Sequence, residues 1–305
     1  MTFEAPDLIR VPVDGGAITV ACWGSGSTPV LASHGITANH RSFAQVADAL
    51  RTSGADVRLL AVDHRGRGGS ADTPGPFGIR THARDLVAVL DHLAIDTAVL
   101  LGHSMGAFVA ANAALLAPER VTGLVLVDGA LPIEVDLPAD AAIEDVVRAV
   151  IGPALDRLDR TFDSPEDYVA QWRAHPAYGG GYFNDVAEAH VRYDLIPTDD
   201  GTGWRSPVHK PAVLTDGGDV LADEQVRTAL ARIATPTRLL WAPRGMLDQE
   251  PGLFAPSVVA TTCAGLEHVE PVLVEDVNHY SIVFGPGGAA AVAAAVVASW
   301  RRTVG

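Results

Sequence analysis

Gly102-His103-Ser104-Met105-Gly106 sets a serine between two glycines. An apolar, β-branched run from Thr97 to Leu101 precedes it, and the helix-forming segment Ala107 to Ala111 follows. Strand, tight turn, then helix is the context that presents a serine as a nucleophile at the carboxyl end of a strand. Glycines on both sides let strand and helix approach closely and leave Ser104 free to take strained backbone geometry. Such a turn also leaves the N–H of Met105 unpaired at the helix start, where it can donate to a developing oxyanion. Serine attack needs two further parts, a base that accepts the hydroxyl proton and a group that orients that base. Eleven histidines supply candidates for the base.

Those groups must be carried by a scaffold, and the chain alternates strands with helices. Leu8 to Val13 and Ala17 to Trp23 read as a hairpin turning at Asp14-Gly15-Gly16. Pro29 to Ser33, Val57 to Val62, Thr97 to Leu101 and Val121 to Val127 are short apolar runs expected as buried strands. Helices are expected from Phe43 to Arg51, from Thr81 to Leu93 and from Asp223 to Ile233, with further strands at Thr237 to Trp241 and Val269 to Val274. This rhythm predicts an α/β fold with a mostly parallel, helix-covered sheet. It breaks between Leu131 and Val220, where prolines, aromatic residues and short helical pieces take over. The expected organisation is a core from residues 1–130 and 221–305 with a mainly helical cap inserted at 131–220.

Composition narrows the classes of function. The 305 residues are 48% hydrophobic and 19% charged, which predicts a large buried core. A formal charge of −15 argues against nucleic acid and anionic membrane surfaces as partners. Cys22 and Cys263 are too few for a disulfide framework and lack metal-ligand spacing. The start, Met1 to Asp7, has no signal-peptide pattern, and the apolar Ala289 to Trp300 is too short and too alanine-rich for a membrane span. A cytoplasmic protein is the expectation. Asp63-x-Arg65-Gly66-x-Gly68 lacks the spacing and the lysine of a nucleotide loop. Neither a cofactor nor a metal is expected.

Four motifs in order carry a resemblance: His34-Gly35 after an early strand, Asp63-x-Arg65-Gly66-x-Gly68-x-Ser70, Gly102-His103-Ser104-Met105-Gly106, and a late Asn278-His279. Together they resemble the α/β-hydrolase family of serine-esterase type across nearly all of the chain outside the cap. The resemblance implies the order serine, acid, histidine. It makes His279, after the last expected strand, the base. His103 and His34 become orienting or loop-shaping residues, and Arg65 a structural residue bonding carbonyls near the serine turn. It makes the N–H groups of Met105 and Ile36 the oxyanion hole, with Gly35 allowing close approach of the loop.

The acid is where the chain departs from the family. The usual place, four residues past Trp241, is Gly245. The expectation falls first on Asp248, whose Asp-x-x-Pro tail resembles that of relatives, and second on Asp128 at the end of an earlier strand.

The implied chemistry is cofactor-free hydrolysis of a small hydrophobic carboxylic ester or lactone through an acyl-enzyme. Cleavage of a diketone carbon–carbon bond by the same residues, or ligand binding without catalysis, are the competing readings. Trp172, Tyr178, Tyr182 and Phe183 are the expected pocket aromatics, with Gly179-Gly180-Gly181 as a gate among them.

Overall fold

Alternate residues of the central strands point to opposite sides of one sheet, and each side is buried under helices. In the computed structural model the described residues are 5–133 and 140–304, with side chains described through residue 300. Residues 1–4, in the stretch read as lacking a signal peptide, and 134–139, within the expected cap, lie outside them.

The sheet strands are β1 (Asp7–Val13), β2 (Gly16–Trp23), β3 (Thr28–Ser33), β4 (Val57–Val62), β5 (Ala98–His103), β6 (Val121–Val127), β7 (Thr237–Trp241) and β8 (Val269–Leu273). They lie in the order β1-β2-β4-β3-β5-β6-β7-β8. β2 runs antiparallel to both its neighbours, and the remaining pairs are parallel. β5 therefore sits inside the sheet with all six of its residues buried, the environment that demands a continuous apolar run.

Period-two alternation sorts the core into two layers. Val30, Ala32, Val99 and Leu101 face the layer containing Phe43 and Val46. Val46 belongs to α1 (Ala44–Thr52), which packs beside the terminal helix α9 (Pro286–Val304). Leu31, Leu60, Leu100 and Leu124 face the other layer, under α2 (Ile79–His92) and α3 (Met105–Leu116). The first ten residues of α3 are all buried. Its alanines and glycine keep it thin enough to lie flat on the sheet behind Ser104, and an apolar surface all round is what a fully buried helix requires.

The segment between β6 and β7 is mainly helical. It holds α4 (Ile143–Arg157), α5 (Pro165–Arg173), α6 (Asp185–Tyr193), a two-residue hairpin pairing Ile196–Pro197 with Trp204–Arg205, and α7 (Lys210–Ala222). α4 bends at Ile151, whose φ of −125° and ψ of 26° lie outside the helical range two residues before Pro153. Proline lacks the N–H and crowds the carbonyl four residues back, so the bend has a local cause.

The helix expected from Asp223 to Ile233 is split into Glu224–Arg227 and Ala229–Arg232. Thr228, between them, turns its hydroxyl back onto the Glu224 carbonyl at 2.7 Å, a bond that competes with helix continuation. A further helix, α8 (Pro256–Cys263), leads into β8. No helix of the described residues is long and apolar enough to cross a membrane.

Candidate active site

Ser104 ends the run of β5 with φ +56° and ψ −123°, a conformation L-residues rarely adopt. The turn is held because Ser104 N–H donates to the Val127 carbonyl at 2.9 Å. Only glycine can follow two residues later: a Cβ on Gly106 would stand 1.9 Å from the Ser33 carbonyl oxygen. Sheet and helix are thus drawn together beneath the serine, and its side chain is pushed out at the strand end.

His279 Nε2 lies 3.1 Å from Ser104 Oγ, and its Nδ1 lies 2.7 Å from Asp128 Oδ2. Asp128 is fully buried at the end of β6 with φ +46°. Its other oxygen accepts from the Ala242 N–H at 3.1 Å, and its own N–H donates to the Leu240 carbonyl at 2.7 Å. A carboxylate only accepts, so the contact assigns the Nδ1–H tautomer to His279 and leaves Nε2 as the acceptor facing the serine hydroxyl.

Asp248, the acid expected first, does not reach His279. Its Oδ1 accepts from Asn278 Nδ2 at 2.8 Å and pairs with Arg244 Nε at 2.9 Å. It braces the loop that carries the imidazole, since Asn278 Oδ1 also accepts from the Tyr280 and Ser281 N–H groups. Three residues of separation from Gly245 place Asp248 on the wrong side of this turn, where Arg244 captures it.

Two buried histidines hold the frame. His103 Nε2–H donates to the His279 carbonyl at 2.9 Å, and burial, reinforced by the nearby His279, drives its basicity well below the imidazole norm. His34 Nδ1–H donates to the Gly35 carbonyl at 2.7 Å, while its Nε2 accepts from the His64 N–H at 3.1 Å. Burial pushes the His34 pKa down to about 4 against a partly opposing Asp63. Both are neutral struts at neutral pH.

Gly35 passes so close to the serine that a Cβ there would lie 3.3 Å from Ser104 Cβ. The N–H groups of Ile36 and Met105 have no protein acceptor among the described residues. Both residues border the space at Ser104.

The motif around Asp63 works differently from the family expectation. Arg65 ion-pairs with Asp85 at 2.7 Å and donates to the carbonyls of Pro74 and Asp14, away from the serine turn. Arg67, not singled out from the sequence, is the residue that reaches the site. Its Nε donates to the Ile36 carbonyl at 3.0 Å, and its guanidinium pairs with Asp216 of α7 at 2.6 Å, with both side chains fully buried.

Free space beside Ser104 divides into two narrow arms of ≈ 40 and ≈ 50 Å³. Ile36, Ile151 and Met246 border both. A wider cleft of ≈ 370 Å³ between α4, Trp172, His175 and Leu247 leads toward them past the same Ile151 and Met246.

Of the expected pocket aromatics only Trp172 borders this space. Tyr178 packs edge-on against Phe183 and Phe284, Phe183 lies under the Arg173 guanidinium, and the Tyr182 hydroxyl donates to the Asp276 carbonyl. These three side chains border none of the described pockets. The run Gly179-Gly180-Gly181 borders none of the described pockets either. The lining the sequence missed is aliphatic, from Val147, Val150 and Ile151 of α4, and its visible signal was the apolar stripe of that helix. No group of three or more His, Cys, Asp or Glu among the described residues could hold a metal ion.

Comparison with known proteins agrees with this geometry. A family model described as alpha/beta hydrolase fold matches residues 28–286. A putative carbamate hydrolase, RutD, of Azorhizobium caulinodans is 36% identical over 102 residues, covering 33% of this chain and 37% of that protein. The match thus spans little more than a third of that relative's length. Lipase LipV of Mycobacterium tuberculosis is 29% identical over 225 residues, covering 72% of this chain and 76% of the lipase. The solved structure of an E-2-(acetamidomethylene)succinate hydrolase superposes with a TM-score of 0.70 at 21% identity, covering 98% of this chain and 99% of the other.

Proposed function

The chain belongs to the alpha/beta hydrolase fold family, and on that premise we propose that it is a cofactor-free serine hydrolase of small, uncharged carboxylic esters or lactones. The observation that carries the reading is the unbroken contact series from Ser104 Oγ through His279 to Asp128, at 3.1 and 2.7 Å.

In this reading His279 Nε2 takes the Ser104 proton as Oγ bonds to the substrate carbonyl carbon. Asp128 stabilises the imidazolium that forms and holds its tautomer. The Met105 and Ile36 N–H groups donate to the developing oxyanion, each such donor being worth about 3 kcal/mol in the transition state. Protonated Nε2 then returns its proton to the leaving alkoxide as the carbon–oxygen bond breaks, leaving an ester on Ser104. A water molecule, deprotonated by the same nitrogen, attacks that ester; as the bond to Ser104 Oγ breaks, Nε2 returns the proton to Oγ and the acid is freed.

The segment over the strand ends acts as the cap that shapes the substrate. Its aliphatic lining supports an uncharged acyl group, because a charge placed there would lose its hydration without a counter-charge. The test is labelling with a fluorophosphonate together with turnover of p-nitrophenyl butyrate. Labelling at Ser104, and loss of both labelling and turnover in Ser104→Ala, are expected. Labelling elsewhere, or turnover that survives the substitution, overturns the reading.

A further inference from the structure

The two arms beside Ser104 differ in chemistry. The first is bordered by Phe108, Ile133, Val147, Val150, Val220 and Leu253, with no polar side chain but Ser104 itself. The second is bordered by His279 and also by Ser42, Trp172 and His190.

That difference orients an ester, given the hydrolase reading above. The leaving oxygen must receive its proton from His279 Nε2, and His279 borders the second arm and not the first. The acyl chain therefore lies in the aliphatic arm and the alcohol portion in the polar one.

Four residues of that arm, Ser42, His103, Trp172 and His190, carry an enclosed side-chain nitrogen or oxygen without a partner, and His190 is the histidine among them with neither ring nitrogen spent on the protein. It belongs to α6, is 94% buried (6% exposed), and its Nδ1 is enclosed with no hydrogen-bond partner. Among the described residues Nε2 has no protein partner either. Its backbone is fixed, since its carbonyl accepts from Asn39 Nδ2 at 3.3 Å, and its ring packs edge-on against Phe284. Ser42, on the turn beside Asn39, is a second buried side chain of the arm whose hydroxyl has no partner. Buried polar groups almost always find partners, and a group of idle ones bordering the alcohol side of a reactive serine fits a polar substrate group.

We propose that His190 is a specificity-determining, substrate-binding residue that hydrogen-bonds a hydroxyl carried by the alcohol portion of the ester. The preferred substrates are then hydroxyalkyl esters of short aliphatic acids rather than simple alkyl esters. Burial, with His34 and Arg157 nearby, pushes the His190 pKa down to about 3, so the ring is neutral. A neutral imidazole offers no charge to an anion, whereas a hydroxyl pairs with it in either tautomer, as donor or as acceptor. The narrow arm favours a short hydroxyalkyl group beside Ser104, and a bulkier alcohol would extend into the wider cleft past Ile151 and Met246.

The test compares 2-hydroxyethyl butyrate with ethyl butyrate, which share one acyl group. The readout is the ratio of their kcat/KM values, in which general damage to the enzyme cancels. The expected ratio is about tenfold in favour of the hydroxyalkyl ester, the range for one buried hydrogen bond. It should fall to about one in His190→Phe and keep part of its value in His190→Gln, which still offers a donor and an acceptor. If His190→Phe does not fold, the wild-type and His190→Gln ratios decide. A wild-type ratio of about one, or an unchanged ratio in the variants, overturns the assignment while leaving Ser104 chemistry intact. Absence of both fluorophosphonate labelling at Ser104 and ester turnover overturns the hydrolase reading, and the His190 assignment with it.

Discussion

Asp128 and His279 are 151 residues apart in the chain and 2.7 Å apart in the fold, joining the end of β6 to the loop that follows β8. β6 lies between β5, which carries Ser104, and β7. A carboxylate at its end therefore needs no long loop to meet the imidazole. Asp248 starts one strand further out and is held by Arg244 and Asn278.

The two aspartates should part sharply in their kinetics. Asp128→Asn puts an amide donor or a neutral acceptor against Nδ1 and favours the wrong tautomer, a change that costs about 10⁴ in rate in the serine-protease triad. A loss of that order in kcat is expected, with fluorophosphonate labelling slowed in proportion. Asp248→Asn keeps the size of the brace and should lose less than about tenfold, because the residue acts on His279 only through its neighbours Asn278 and Arg244. Steady-state kinetics on p-nitrophenyl butyrate measure both, and the reverse order would move the acid to Asp248.

Much of this site was legible before the fold was known. Ser104 announces itself because its strand, its glycines and its helix are contiguous in sequence. His279 is legible because it follows the last strand of a recognisable alternation. Choosing between Asp128 and Asp248 was beyond sequence reasoning, since the decision rests on an ion pair with Arg244 and on where two loops end in space. The pocket was hidden for a similar reason. Trp172, Tyr178, Tyr182 and Phe183 cluster in sequence, yet Tyr178 and Phe183 pack against each other and against Phe284 and Arg173, and Tyr182 turns to the Asp276 carbonyl. The bend at Ile151, which brings aliphatic side chains of α4 over Ser104, follows from a proline inside a helix whose position over the site only the fold reveals.

Gly35 offers a test of the oxyanion loop. Its Cβ in Gly35→Ala would stand 3.3 Å from Ser104 Cβ, so loop and serine must separate by a few tenths of an ångström. Because small displacements of reacting groups carry large rate costs, kcat should fall by roughly 10- to 100-fold. KM should change less, since Gly35 borders the second arm only and the aliphatic arm is left intact. An undiminished kcat would show that this loop does not serve the oxyanion.

Asp216 ties α7 to the same loop. It pairs with Arg67, accepts from the Gly78 N–H at 2.7 Å and lies 3.0 Å from His82 Nε2. Its pKa is held down to about 2 by His82 and Arg67, which overcome the burial that would raise it. Asp216→Asn strands the Arg67 charge in the interior, and breaking a buried pair from one side costs about 3–5 kcal/mol. Urea unfolding should register that loss. Activity should drop as well, since Arg67 fixes the Ile36 carbonyl. A stability change within about 0.5 kcal/mol, the range of ordinary surface substitutions, would show that the pair is not a structural link.

Acid should unfold this protein through its buried histidines. His34 and His190 are pushed down to about 4 and about 3, and His64 and His103 lie well below the usual 6.5, with burial the largest cause in each case. In the unfolded chain all four take up protons near pH 6.5. Between that pH and about 4 the unfolded state binds more protons than the folded one, so stability rises with pH and is lost as pH falls. All four act in the same direction, so each steepens the loss of stability as pH falls through that window. Urea midpoints measured from pH 7.5 to 5 should therefore stay level above pH 7 and then fall steeply. His64→Gln removes one of the four protonations and should flatten the fall by about a quarter, whatever it does to the stability at pH 7.5. A midpoint that does not change between pH 7 and 5 would mean that these imidazoles take up protons in the folded protein as readily as in the unfolded chain.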